Sequence, residues 1–200
     1  MAINLANNNS LANITALPSS VSGGAMTLLA TQTASGSASL SFTSGIDDTY
    51  DSYVFKFINI HPETDAAEFQ VNFRDGSTAY DATKTTTYFQ VYHGEGDASA
   101  GIAYEASYDL AQSTSSQRIF DNMGNDADQN ASGELILYNP SSTTFVKHFI
   151  FRGNTAENAD YSIESNVAGY CNVTAAIDGV QFSMSSGNID SGVIKLYGIS

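Results

Sequence analysis

Hydrophobic and polar residues alternate along short runs of this chain, and turn residues separate the runs. In residues 53–60, Tyr53, Phe55 and Phe57 share one face of an extended chain. Alternation with period two between turn-rich breaks is typical of β-strands. Comparable runs occupy residues 39–43, 68–76, 87–93, 133–140, 144–153, 178–187 and 192–199. The pattern predicts about nine strands and loops near residues 94–101 and 121–132.

The uneven loops decide which β architecture to expect. The sequence has no repeat at the period of a propeller blade or a β-solenoid turn. Strands in this number, joined by unequal loops, favour two antiparallel sheets that pack face to face. We therefore predict an all-β fold, an antiparallel two-sheet sandwich with jelly-roll-like topology.

The strand predicted at residues 192–199 tests this interpretation. Its apolar side chains need a sheet neighbour and a core to cover them. We expect Ile194 and Leu196 to point into the core, and Lys195 and Tyr197 to face outward or line a subunit contact.

Residues 1–24 differ from the rest because they are rich in Asn, Ser and Gly, and Pro18 limits any helix. We predict an extended N-terminal arm over residues 1–24 and a sandwich domain over residues 25–200. The arm has too few apolar groups to fold alone, so it is either a disordered leader or a segment that orders against a partner. For the second case the predicted partner-binding residues are Ile3, Leu5, Leu11, Ile14 and Leu17.

The net charge of the chain argues against two classes of binding partner. The 200 residues include 21 acidic and 7 basic side chains, which gives a net charge of −14. Such a surface repels phosphate backbones and anionic lipid, so we expect neither nucleic-acid nor membrane binding. Cys171 is the single cysteine, which excludes an intrachain disulfide. Its apolar neighbours predict a buried thiol.

The histidines and acidic loops are the candidates for metal binding. His93 precedes Glu95 and Asp97, but no second cluster of ligands is evident. The loop at residues 121–130 repeats only half of an EF-hand pattern, and a solvated polar loop is the simpler interpretation there and at residues 47–51. His61 is expected in a turn and His148 half-buried in a strand. We predict no metal site and no cofactor.

Motifs for catalysis are also missing from the sequence. It contains no Gly-x-Ser-x-Gly elbow, no Ser-x-x-Lys and no glycine-rich phosphate loop before a helix. Paired carboxylates for glycoside hydrolysis meet only in the fold, so the sequence does not test for them. We predict no catalytic residues and no enzyme. The many tyrosines and the long loops keep a receptor-binding or glycan-binding module as an alternative.

Four segments resemble known proteins of one kind. Residues 7–35 (NNNSLANITALPSSVSGGAMTLLATQTAS), 37–65 (SASLSFTSGIDDTYDSYVFKFINIHPETD), 135–153 (LILYNPSSTTFVKHFIFRG) and 186–200 (SGNIDSGVIKLYGIS) resemble small β-rich structural proteins of tailed bacteriophages, especially phages of marine bacteria. Such proteins include head decorations, head fibres and tail-fibre-like proteins.

The resemblance implies a non-enzymatic structural protein located in the virion, which is assembled in the host cytoplasm. The form we expect first is a capsid decoration (cement) protein that attaches to the phage head through the arm. The alternative is a tail-fibre or head-fibre protein that binds a host receptor or glycan. The implied partners are the major capsid protein or other virion subunits, and further copies of the chain in a homo-oligomer such as a trimer.

Overall fold

The computed structural model describes residues 26–97 and 99–200 of the chain. These residues form 12 β-strands whose pairings are all antiparallel, and they contain no helix, so none that could cross a membrane. The prediction of an all-β antiparallel fold is confirmed. The strands are β1 (Thr27–Ser37), β2 (Ser39–Phe42), β3 (Ser52–Pro62), β4 (Ala67–Arg74), β5 (Lys84–Gly94), β6 (Ala100–Tyr104), β7 (Gln117–Met123), β8 (Ala131–Tyr138), β9 (Lys147–Glu157), β10 (Tyr161–Cys171), β11 (Gly179–Met184) and β12 (Ile189–Ile199).

The strands form one continuous sheet that branches at β9. One branch, the eight-strand path, runs β1-β12-β3-β8-β9-β10-β5-β6, and the other, the four-strand group, runs β7-β4-β11-β2. A single bridge between Met123 and Glu157 joins the two. Far from that bridge, β1 and β2 come together where Gln32 Nε2 donates a hydrogen bond to the Ser41 carbonyl at 2.6 Å. The sheet is therefore nearly closed.

Aromatic rings fill the space that the sheet encloses. The ring of Phe57 on β3 meets Phe182 at 5.0 Å, Phe69 at 5.6 Å and Phe151 at 6.0 Å between centroids. Phe69 and Phe182 belong to the four-strand group, so these contacts join it to the eight-strand path. Most of the ring pairs are edge-to-face, the arrangement that the aromatic quadrupole favours. Burial of these rings supplies the core.

The buried faces that alternation predicts for β3 and β12 are confirmed, and in both strands that face is strongly apolar. Tyr53, Phe55 and Phe57 are buried, as are Ile194 and Leu196 on β12. β12 pairs with β1 along one edge and with β3 along the other, and its inner side chains pack into the core cluster. Lys195 and Tyr197 are half-buried on the other face.

Four strands were missed because their sequences alternate weakly. β1 is largely small and polar, β10 mixes Ser, Glu, Asn and Gly with its apolar residues, and β6 has only five residues. β7 buries charged and amide side chains, so its strand was mistaken for the start of a loop. The loop predicted at residues 121–132 is therefore shorter, because Asp121 lies inside β7 and Ala131 begins β8. The loop predicted at residues 94–101 is likewise shortened by β5 and β6.

The predicted arm, residues 1–24, lies outside the described residues.

Replacing Leu196 with Ala tests the burial of β12. Leu196 is fully buried, and a truncated leucine leaves a cavity in a close-packed core. We expect the free energy of unfolding to fall by about 2–5 kcal/mol, measured by denaturant unfolding. The control is Lys195→Ala on the opposite face, which should change stability far less. Equal effects of the two substitutions would contradict the assigned strand faces.

Candidate functional site

An exposed apolar patch covers the outer face of β5 and β6. The patch, here called the edge patch, consists of Phe89, Val91, Ile102 and Tyr104, all of them exposed. The strand register places Phe89 opposite Tyr104 and Val91 opposite Ile102. Directly paired side chains on one face of a sheet lie close enough to form a continuous surface. The patch is therefore one surface rather than scattered apolar residues.

The alternation of β5 explains why these side chains face outward. Tyr88, next to Phe89, points inward, where it is fully buried and its hydroxyl lies 2.7 Å from Ser165 Oγ. This inward anchor fixes the register, so the neighbouring odd-numbered positions must face solvent. In β6, Tyr104 donates a hydrogen bond to Asp109 Oδ2 at 2.5 Å, which holds its ring in place. That bond to Asp109 raises the pKa of Tyr104.

The edge patch adjoins an open strand edge. Within the described part of the chain, β6 pairs with β5 and with no other strand. An edge strand presents free N–H and C=O groups that can pair with another chain. An apolar surface beside such an edge is the arrangement used when one protein adds a strand to another.

A polar cavity of about 390 Å³ lies on the face of β5 opposite to the edge patch. Tyr92, Tyr108 and Tyr161 line it together with the carboxylates of Asp121 and Glu157. These residues come from β5, β7, β9, β10 and the loop after β6. The fold therefore brings together groups that are far apart along the chain.

Asp121 is held in the wall of the polar cavity by an ion pair. It is almost fully buried, and Arg118 Nη1 donates a hydrogen bond to its Oδ1 at 2.7 Å. The same guanidinium pairs with Glu68 and stacks 3.7 Å above the ring of Tyr108. Burial raises the pKa of Asp121, although Arg118 opposes the rise. Burial also raises the pKa of Tyr108 to about 12.

Glu157 and Gln90 give the cavity its acceptors. Glu157 Oε2 accepts a hydrogen bond from the Ala159 N–H at 2.8 Å, and burial raises the pKa of this carboxyl. Among the described residues, Gln90 Oε1 has no hydrogen-bond partner although the atom is buried. An unpaired buried acceptor is costly and is satisfied by a donor such as a ligand hydroxyl or water. Aromatic rings beside oxygens that can accept hydrogen bonds from hydroxyl groups suit a sugar-like ligand.

The predicted histidine and acidic candidates meet in pairs and do not form a larger cluster among the described residues. His93 Nε2 lies 3.1 Å from Asp97 Oδ1 at the surface, and His61 Nε2 lies 3.2 Å from the Asp126 carbonyl. No group of three potential metal ligands occurs within residues 26–97 and 99–200. The absence of a metal site stays a prediction.

Three placements correct the sequence analysis. His61 lies inside β3 and not in a turn, because the strand continues through Pro62. His148 is exposed rather than half-buried, since it alternates with the inward-facing Lys147 and Phe149 on β9. Asp121 belongs to the wall of the polar cavity and not to an acidic loop. Burial of Cys171 is confirmed, and desolvation raises the pKa of its thiol to about 12.

The residues predicted to bind a partner lie outside the described residues. Ile3, Leu5, Leu11, Ile14 and Leu17 therefore stay a prediction. Sequence reasoning missed the edge patch because β6 is too short for its period to stand out. The alternation of Phe89 and Val91 was visible, but without β6 the exposed face could not be distinguished from the buried one.

The raised pKa of Glu157 predicts a pH effect on stability. The folded protein holds a proton on this carboxyl more tightly than the unfolded chain does. The protonated carboxyl therefore stabilises the fold at low pH, and this contribution is lost as the pH rises through the raised pKa. We expect the free energy of unfolding of the wild type, relative to Glu157→Gln, to fall between about pH 4 and pH 7. Urea unfolding across this range measures it.

The control for Glu157 is Glu164→Gln. A hydrogen bond from Arg152 lowers the pKa of Glu164, so its contribution should increase with pH. Slopes of the same sign for the two variants would contradict the burial assigned to Glu157.

Comparison with known proteins adds no assignment. No protein-family model and no curated protein matches the sequence. The edge patch and the polar cavity are therefore the features from which a function can be inferred.

Proposed function

We propose that the chain is a non-enzymatic structural protein of a bacteriophage virion, and specifically a capsid decoration (cement) protein. The observation that carries this proposal is the edge patch, an apolar surface beside an open strand edge. A surface of this kind works by binding other subunits rather than by transforming a molecule. The resemblance of the four sequence segments to phage structural proteins supports the virion as the location.

The occupant proposed for the edge patch is another copy of the chain. Two β6 strands can pair in antiparallel register about Ile102, which places Ile102 opposite its counterpart and Tyr104 opposite Ala100. Such a contact is self-complementary, as two-fold interfaces require. The patch itself carries no charged side chain, although Asp109 borders it through its hydrogen bond with Tyr104. Repulsion between the net charges of −14 is screened by salt. A trimer would instead require a head-to-tail interface, in which the patch of one copy meets a different surface of the next.

The jelly-roll-like sandwich belongs to the same proposal. The eight-strand path and the four-strand group share one backbone bridge, and aromatic rings lie between them. These observations favour two packed sheets. Residues 1–24 then form an arm that attaches the domain to the major capsid protein or another virion subunit. An arm that docks adds binding area to each copy, and many weak contacts together can stabilise a shell.

The alternative is a tail-fibre or head-fibre protein that binds a receptor or glycan. The polar cavity favours it, because three tyrosines and two carboxylates surround a space of about 390 Å³. Binding of glycans by the isolated protein, lost on Tyr161→Ala, would support this alternative.

Replacing Ile102 with Lys tests the edge patch. Ile102 is 72% exposed, so the substitution costs the monomer little but places charge in the proposed contact. We expect the wild type to self-associate in sedimentation velocity and Ile102→Lys to sediment as a monomer. Phe145 is 70% exposed in a loop and is a matched control, because Phe145→Lys should leave association unchanged. A monomeric wild type, or equal effects of both variants, would contradict the self-contact.

The position of the protein in the particle tests the proposal as a whole. Antibody labelling in electron microscopy should place copies of the full-length chain on the head. Particles assembled with a chain that lacks residues 2–24 should lose the label, while the deleted protein stays soluble and keeps its β-sheet circular dichroism. Copies confined to the tail would contradict the decoration role, and normal incorporation of the deleted chain would contradict the arm as the anchor.

A further inference from the structure

Lys84 is a fully buried lysine whose ammonium has no carboxylate partner. Its Nζ donates to Asn72 Oδ1 at 2.5 Å and to the Ala82 carbonyl at 2.8 Å. No salt bridge involves Lys84 within residues 26–97 and 99–200. A buried charge without a counter-charge is costly, so lysines are rarely placed this way. The close approach of the Lys84 amine to the Asn72 side-chain amide therefore requires an explanation.

The side-chain amide of Asn72 is buried and held from both ends. Its Oδ1 accepts a second hydrogen bond from the Phe73 N–H at 3.0 Å. Its Nδ2 donates to the Thr114 carbonyl at 3.1 Å and to Ser116 Oγ at 3.4 Å. These contacts fix the amide so that the lysine amine lies beside its carbonyl group.

We propose that Lys84 Nζ and Asn72 Cγ form an intramolecular isopeptide bond with release of ammonia. The neutral amine of Lys84 attacks Asn72 Cγ, and a new C–N bond forms. The Cγ–Nδ2 bond then breaks, and a proton from Nζ leaves with Nδ2 as ammonia. No oxidant, metal or cofactor is required.

The surroundings favour each part of this reaction. Burial lowers the pKa of Lys84 to about 8, although Cys171, Asp81 and Asp75 oppose this shift. A useful fraction of the amine is therefore neutral near physiological pH. The Phe73 N–H points at Oδ1, where negative charge develops as the amine adds to the carbonyl. Fixed contact between the two groups supplies the proximity that makes such a reaction unimolecular.

The bond would join the two branches of the sheet. Asn72 lies on β4 in the four-strand group, and Lys84 begins β5 in the eight-strand path. The link would therefore fasten the crossover between them. It does not depend on the proposed location of the protein.

Lys147 offers an internal control for the chemistry. It is buried like Lys84, and both pair with Cys171 from opposite sides of β10. Its Nζ donates to the backbone carbonyl of Val173 at 2.9 Å and has no side-chain amide among its hydrogen-bond partners in the described part of the chain. Lys147 is thus expected to stay unmodified.

Mass spectrometry of the purified full-length protein tests the bond. We expect the intact mass, after allowance for the initiator methionine, to be lower than the sequence mass by one ammonia. Trypsin should cleave after Arg74 but not after the modified Lys84, so the digest should contain residues 57–74 joined to residues 75–118. Fragmentation of this branched peptide should locate the link at Asn72 and Lys84.

Two variants complete the test. Lys84→Met should have its full sequence mass and yield residues 57–74 as a linear peptide, whereas Lys147→Met should keep the ammonia loss. Recovery of residues 57–74 and 75–84 as separate, unmodified peptides from the wild type would overturn the proposal, as would ammonia loss that persists in Lys84→Met. The wild-type digest decides the question even if Lys84→Met fails to fold.

Discussion

Phenylalanine rings that meet between the eight-strand path and the four-strand group are the contacts on which the rest of this structure depends. In the part of the chain that the structure describes, a single backbone bridge, Met123 to Glu157, joins the two along β9. Side-chain packing around Phe57 and Phe182 must therefore hold them together. It also fixes which face of each strand points inward, because a one-residue slip would expose the rings. The outward position of the edge patch follows from that choice.

The polar side chains that face the interior have specific hydrogen-bond and ion-pair partners. Asp121 is neutralised by Arg118, which leaves the carboxylate at the wall of the polar cavity. Lys84 has no such counter-charge and instead contacts the amide of Asn72. The first arrangement places a carboxylate beside tyrosine rings in the wall of a polar cavity, and the second brings an amine beside an amide carbonyl. Both arise because a closed sheet leaves buried polar groups few partners.

Period-two alternation was enough to predict an antiparallel β fold and the buried faces of β3 and β12. It failed for β10, where Glu164 and Asn166 alternate with Ile163 and Val167 but small residues dilute the pattern. It also failed for Asp121, since charge in a sequence suggests solvent unless the partner is known. Arg118 is only three residues away, but Tyr108 reaches Asp121 from the loop after β6 and Glu157 from β9. Sites assembled across four strands have no local signature, and this limited the prediction of the polar cavity.

The position of β12 between β1 and β3 has a consequence for biogenesis. β11 similarly separates β2 from β4. β1 and β2 pair with β12 and β11 respectively, so they cannot pair until these late strands have left the ribosome. Until then β3 and β4 each lack one of their two neighbours. During synthesis these strands keep open edges, a state that invites aggregation in slow, non-local β folds. The surplus of acidic side chains gives the growing chain a mutual repulsion that protects it during this interval.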